Sequence, residues 1–326
     1  MKQRLKYFAR SALWKVAPWK FATSEQDLAA FSIGIYSGPS PFDLCPAEQA
    51  RNPVLRCEDL RDIPTTTVAD PFMWRVDGLW HMFFEIKSRL SLNGEIAYAT
   101  SQNGFDWRYQ RVVLREPFHL SYPQVFRWRD DFFMIPETGR AKAVRIYRAT
   151  RFPDRWSHVA TLLEGSRFVD SSVFHFDGRW WMFTEAGPGP ASPILRLFFA
   201  SDLMGPWTEH PASPLVTGDG FIARPGGRVV MFRGRPVRFA QRVLPVYGTE
   251  VRAFEVLQLS TTRYEERQVG ADPMLGPGND SWNAGGMHHV DAHLLDDGTW
   301  LACVDGFSSP PRPAGEEAHA PDERVT

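Results

Sequence analysis

The chain has 326 residues, 43% hydrophobic and 23% charged, with 37 basic against 38 acidic side chains. That length supports a substantial core in one domain, and scattered, balanced charges exclude an electrostatic nucleic-acid surface. Cys45, Cys57 and Cys303 form an odd, sparse set without metal-ligand spacing, which fits a reducing compartment rather than a disulfide framework.

Residues 1–29 form a basic arm: Lys2, Arg4, Lys6, Arg10, Lys15 and Lys20 alternate with Leu5, Phe8, Leu13, Trp14, Val16 and Trp19, and no acid falls among residues 1–20. This is the pattern of a basic amphipathic helix, which either lies on an anionic membrane surface or docks as a solvated arm. No run is long enough to span a bilayer, and no signal-peptide core precedes a cleavage site. The expected location is cytoplasmic, with peripheral membrane contact through the arm as the alternative. A strand follows at Phe31-Ser32-Ile33-Gly34-Ile35-Tyr36, with no local partner.

Three stretches then share one template, running from Ala69-Asp70-Pro71-Phe72 to Glu85, from Ser121-Tyr122-Pro123-Gln124 to Glu137, and from Val169-Asp170-Ser171-Ser172 to Glu185. Each is a hairpin of alternating apolar strands followed by a third strand, a tryptophan beside a turn (Trp107, Trp156, Trp207) and a short fourth run. The tryptophans recur about 50 residues apart, and four short strands per unit are the mark of a propeller blade. A degenerate fourth unit starts at Ala223-Arg224-Pro225, and a fifth runs from His288-His289-Val290-Asp291 to Asp305. The last unit lacks outer strands, so the expected fold is all-β: a five-bladed β-propeller over residues 30–306, its ring closed by the N-terminal strand. Residues 307–326 read as a disordered polar tail.

Two-residue turns at Asp77-Gly78 and Asp177-Gly178 place Asp70 opposite Glu85 and Asp170 opposite Glu185; pairing Tyr122 with Glu137 needs a turn at Arg129-Asp130 rather than Asp130-Asp131. Like charges opposed across a strand pair are destabilising, so their recurrence points to a site. First strands line the channel of a propeller, which brings Asp70, Tyr122, Asp170, Arg224 and Asp291 to one mouth with Glu85, Glu137 and Glu185. Crowded carboxylates push one another's pKa values apart, the equipment of glycosidic bond chemistry; the same acids also suit a metal or sugar hydroxyls. Arg224, Arg238 and Gln241 give the fourth unit a basic, amide-rich character that fits an anionic sugar or pairing with the channel acids. Of His288 and His289, strand alternation lets one face the channel, with His289 the expected site residue and no metal expected. The blade tryptophans read as packing, whereas Trp282 in its Gly-rich stretch is a candidate sugar platform.

At these motifs the chain resembles two related groups. Ala69-Asp70-Pro71 and Ala200-Ser201-Asp202-Leu203-Met204-Gly205-Pro206-Trp207 are similar to the five-bladed propeller glycosidases that include arabinanases and β-xylosidases. Asp70-Pro71-Phe72-Met73, Tyr122-Pro123-Gln124-Val125-Phe126, Ile135-Pro136-Glu137-Thr138 and Ala223-Arg224-Pro225 resemble more closely the N-terminal domain of glucosamine inositolphosphorylceramide transferase. The glycosidase resemblance implies Asp70 as general base and Asp170 as the acid that orients and tunes the proton donor. It places that donor in the fourth blade, where this chain has Arg224, leaving Glu137 or Glu185 for the role. The transferase resemblance implies a glycan or glycolipid substrate and a separate glycosyltransferase partner, with no cofactor. Two readings follow: glycosyl cleavage or transfer at the mouth, or glycan recognition without catalysis.

Overall fold

The computed structural model describes residues 2–16, 31–189 and 191–308, and side chains in the first helix from Lys6 onward. The expected disordered tail falls largely on residues 309–326, and part of the basic arm on 17–30, outside the described residues.

Five antiparallel sheets form the blades. Blade 1 has strands Thr65–Val76, Leu79–Ser88, Gly94–Ser101 and Arg108–Leu114; blade 2 has Ser121–Trp128, Asp131–Glu137, Ala143–Arg151 and Arg155–Glu164. Blade 3 is built on Val169–Phe176, Arg179–Glu185 and Ile194–Ala200, with Thr208–Glu209 and Val216–Thr217 outside. In blade 4 the first strand is split into Arg224–Pro225 and Val230–Phe232, both pairing with Arg235–Gln241, ahead of Val251–Leu259 and Tyr264–Gln268. Blade 5 joins Val290–Leu294 and Trp300–Phe307 to Phe31–Ser40 and Asp43–Pro46. The N-terminal segment thus closes the ring in register from Phe31 opposite Phe307 to Gly38 opposite Trp300. It supplies two outer strands rather than one.

The second strands are apolar at successive positions because both faces are covered. In blade 1, Met82 and Phe84 pack toward blade 5, while Phe83 between them packs toward blade 2. In blade 3, Trp180 and Met182 face blade 2, and Trp181 and Phe183 face blade 4. A period of two delivers alternate side chains to opposite neighbours, so each interface between blades has its own buried cluster. The repeated tryptophans belong to these clusters. Trp107, Trp156 and Trp207 each donate the indole N–H to a carbonyl in the turn before them, of Gly104, Pro153 and Leu203.

The split of the fourth blade has a steric cause. Gly227, at φ 151°, bridges across to Val290 of blade 5, and a Cβ there would lie 1.8 Å from the Val290 carbonyl oxygen. Only glycine permits that approach.

Candidate functional site

The inner hairpins keep the expected register as far as Phe72 opposite Phe83 and Ser172 opposite Phe183, and blade 2 turns at Arg129-Asp130. The last rung then slips. Ala69, Ser121 and Val169, not Asp70, Tyr122 and Asp170, stand opposite Glu85, Glu137 and Glu185. The expected direct pairing of acids is therefore corrected. A bulge follows in each blade, and its residues Asp70, Tyr122 and Asp170 adopt φ of 51°, 47° and 50°. Bulges re-aim side chains beside functional sites, and left-handed backbone at non-glycine residues persists only where the surroundings enforce it. Here the enforcing bonds run from blade to blade. Asp305 Oδ2 accepts the Asp70 N–H at 2.8 Å, and Asp70 Oδ2 accepts the Tyr122 N–H at 3.1 Å.

The second strands supply one polar group per blade: Glu85, Glu137, Glu185, Gln241 and Asp305. Gln241, opposite Arg224, occupies the place of the three glutamates in blade 4. Asp305 stands where the sequence template places a returning acid, and its partner is His288, which no template position marks. His288 Nδ1 lies 2.6 Å from Asp305 Oδ1, and Nε2 lies 3.4 Å from Asp70 Oδ1. Burial opposes a charge on His288, but Asp305 and Asp70 outweigh it and lift the imidazole to about 9. Burial likewise opposes ionisation of Asp305, yet His288 holds that carboxyl below the usual range. Asp70 goes the other way: burial, partly offset by His288 and reinforced by Asp170 and Glu85, raises it well above an ordinary aspartate.

His119, in the link between blades 1 and 2, carries no periodic signal and was missed. Its Nδ1 accepts the Gly94 N–H at 2.9 Å, and burial lowers its basicity. The neutral ring therefore has its proton on Nε2, 3.4 Å from Glu85 and 3.9 Å from Glu137. Burial raises Glu85 to about 7, with Lys87 opposing and Glu137 adding to the shift. Glu137 and Glu185 are also raised, first by burial. Their carboxylates accept the Gly139 and Gly187 N–H groups.

Asp170 Oδ2 accepts from Arg224 Nε at 2.6 Å and from Gln241 Nε2 at 2.9 Å. Arg224 thus places its Nε on a channel acid. Tyr247, a second residue the sequence reading missed, lies under its guanidinium at 5.4 Å and beside the His288 ring at 5.3 Å. Three oxygens at the site, Asp70 Oδ1, Asp170 Oδ1 and Gln241 Oε1, are buried and make no hydrogen bond within the protein. Of these, Asp70 Oδ1 lies nearest the His288 and His289 rings, at 3.4 and 3.9 Å.

Four expected site residues stand elsewhere or do something else. Arg238 is buried on Glu266 and the Ile222 carbonyl, inside blade 4. Asp291 holds Arg228, His293 and the Met73 N–H deeper in the channel. Trp282 is buried in the cluster between blades 4 and 5, so it is no exposed sugar platform. The tyrosine hydroxyl of Tyr122 is tied to Ser172 and Gly227. His289 and His288 precede the fifth blade's first strand, so alternation does not govern them; His289 Nδ1 also approaches Asp70 Oδ1, to 3.9 Å, and makes no hydrogen bond. Burial lowers His289 to about 4. Among the described residues, Asp70, His288 and Asp305 offer ligand atoms within 4.8 Å of one another and are the group able to hold a cation.

A model of the N-terminal domain of glucosamine inositolphosphorylceramide transferase 1 matches residues 23–307. The transferase of Oryza sativa subsp. japonica is 33% identical, aligned over 86% of this chain and 40% of its own length. That of Arabidopsis thaliana is 30% identical, over 86% and 39%. The chain therefore spans about two fifths of the length of these relatives. Among solved structures, an exo-β-1,3-galactanase from Clostridium thermocellum superposes with TM-score 0.58 at 13% identity, covering 75% of this chain and 57% of that one. A β-fructofuranosidase from Bombyx mori gives 0.53 at 16% identity, over 73% and 55%. At such identities the likeness is one of fold, a five-bladed propeller shared with glycosidases. By the match over nearly all of its propeller, the chain belongs to the family of the N-terminal domain of glucosamine inositolphosphorylceramide transferase 1.

Proposed function

We propose that the channel mouth binds the saccharide headgroup of a glycolipid and acts on its glycosidic linkage. The observation that carries this reading is the crowding of acids at the mouth, where burial raises Asp70 and Glu85 and Asp70 Oδ1, Asp170 Oδ1 and Gln241 Oε1 have no hydrogen-bond partner in the protein. Burial raises Asp70 well above an ordinary aspartate, which suits a proton donor better than the base that the glycosidase resemblance implied. Glu85, raised to about 7, is poised to exchange a proton. Asp170, salt-bridged to Arg224, orients the sugar as an acceptor. The relatives' name joins a sugar to an inositolphosphoryl lipid, which supports a glycolipid rather than a free polysaccharide.

One observation favours a second reading, recognition alongside a separate glycosyltransferase. Blade 4 presents Arg224 and Gln241 instead of an acid, and Arg224 is engaged by Asp170. Its Nε is committed to Asp170 rather than to an anionic sugar. A glycan-array screen paired with hydrolysis and transfer assays on wild type and Asp70→Asn separates the two. Turnover lost in the variant while binding survives supports catalysis. Binding without turnover by either protein sinks it, and no glycan binding at all sinks both readings.

A further inference from the structure

The helix Lys2–Val16 packs one face on blade 1. Tyr7 and Trp14 lie against the cluster between blades 5 and 1, and Arg10 Nε donates to the Arg89 carbonyl. Its other face is left open: Phe8 is 69% exposed, Leu13 38% and Val16 73%. With Ala9 and Ala12, also exposed, these residues span an arc of about 140° at 100° of rotation per residue. A helix that buries only a Tyr/Trp seam leaves this second apolar stripe without a protein partner among the described residues.

The helix also lies at a particular end of the ring. Pairing of Thr65 with Ser88 and of Ile96 with Leu114 puts the 88–93 loop and Arg115 at the mouth end of blade 1. The helix contacts that end, through Arg89 and through Arg115 over the Tyr7 ring. Leu92, in the same loop, is 69% exposed. The charge on this element is of one sign: lysines and arginines, and no acid among residues 1–20.

We propose that this helix docks the protein on an anionic lipid surface and thereby turns the channel mouth toward the bilayer. An apolar stripe bordered by Lys6 and Lys15 matches the interfacial mode of binding, in which apolar burial and attraction to anionic headgroups add. No described helix is long and apolar enough to cross a membrane. Docking stands on the helix alone; its use in presenting a glycolipid headgroup rests on the function proposed above.

The test is flotation of the full chain with vesicles that contain no glycolipid, so its outcome does not depend on sugar chemistry. Wild type is expected to float with vesicles of phosphatidylcholine and phosphatidylglycerol at 7:3, and to stay behind with phosphatidylcholine alone. The Phe8→Ser, Leu13→Ser, Val16→Ser triple variant is expected to lose at least tenfold in partitioning while keeping the wild-type unfolding midpoint, because all three side chains are exposed. Wild type left in solution with anionic vesicles, or a triple variant that floats equally well, overturns the proposal. Orientation is read from an environment-sensitive dye at Leu92→Cys or Leu294→Cys in a Cys45→Ser, Cys57→Ser background. Leu294 ends the first strand of blade 5, away from the mouth. A blue shift on vesicles at position 92 and none at 294 is expected; equal shifts, or a shift at 294 alone, refute the orientation.

Discussion

The Arg224 and Asp170 pair decides how the mouth tolerates so many acids, and its energy can be measured. The Asp170 side chain is 2% exposed and that of Arg224 17%, with Nε 2.6 Å from Oδ2. Removing one partner of a buried pair costs about 3–5 kcal/mol. Gln241 continues to donate to the same oxygen, which places Arg224→Met at the lower end, about 3 kcal/mol. For 326 residues, an unfolding entropy of about 2 cal/mol/K per residue makes this a fall of about 5 °C in the midpoint. Asp170→Asn, which keeps acceptors for both donors but strands the guanidinium, is expected to cost about 2 kcal/mol. The double variant should cost about the same as Arg224→Met alone, a coupling of about 2 kcal/mol. Urea denaturation of the four proteins closes the cycle. Single losses that add to within about 0.5 kcal/mol would show that the pair is not a coupled unit, and the account of Arg224 as the counter-ion of the mouth would fail.

Stability should also fall as pH rises between about 6.5 and 9. His288 is lifted from 6.5 to about 9, so the native state holds a proton that the unfolded chain has released; the contribution is complete below 6.5 and lost through 9. A shift of that size is worth about 3 kcal/mol, and Glu85, raised from 4.5 to about 7, acts in the same direction at the acid end of the window. Urea midpoints at pH 6, 7.5 and 9 measure the slope, which His288→Gln should flatten above pH 7; an unchanged slope in that variant contradicts the assignment. Tyr122→Phe removes the hydroxyl that accepts the Gly227 N–H and bonds Ser172. Stranding those buried groups should cost about 2 kcal/mol, with a loss under about 0.5 kcal/mol showing that the channel centre relaxes around the gap.

The blade hairpins were legible because turn chemistry and alternation fix register between them, as Phe72 opposite Phe83 shows. The final rung was not. A bulge at Asp70 requires a left-handed backbone that aspartate does not announce, and it is held there by the Asp305 carboxylate, far away in sequence. The same non-local control explains the other differences. Whether Arg224 meets a ligand or Asp170, and whether Arg238 meets the mouth or Glu266, depends on which neighbour the fold brings within 3 Å. His119 was invisible because links between blades carry no period. Asp305, by contrast, stood at the place the template assigns to a returning acid.

The five returning positions share one backbone and differ in proton chemistry because each has a different neighbour. Asp305 has His288 and is held ionised; Glu85 has, among the described residues, His119 within ion-pair reach and is raised to about 7; Gln241 carries no charge at all. A cluster of equal carboxylates would resist folding through mutual repulsion. Pairing Asp170 with Arg224, neutralising Gln241 by residue type, and raising Asp70 and Glu85 through burial all lower that charge. What is left is a polar cluster gathered at the mouth end of the ring. The basic helix Lys2–Val16 adjoins the same end of blade 1, so the acids of the cluster and the cations of the helix are segregated, the separation that the proposed binding of a glycolipid headgroup at a lipid surface requires.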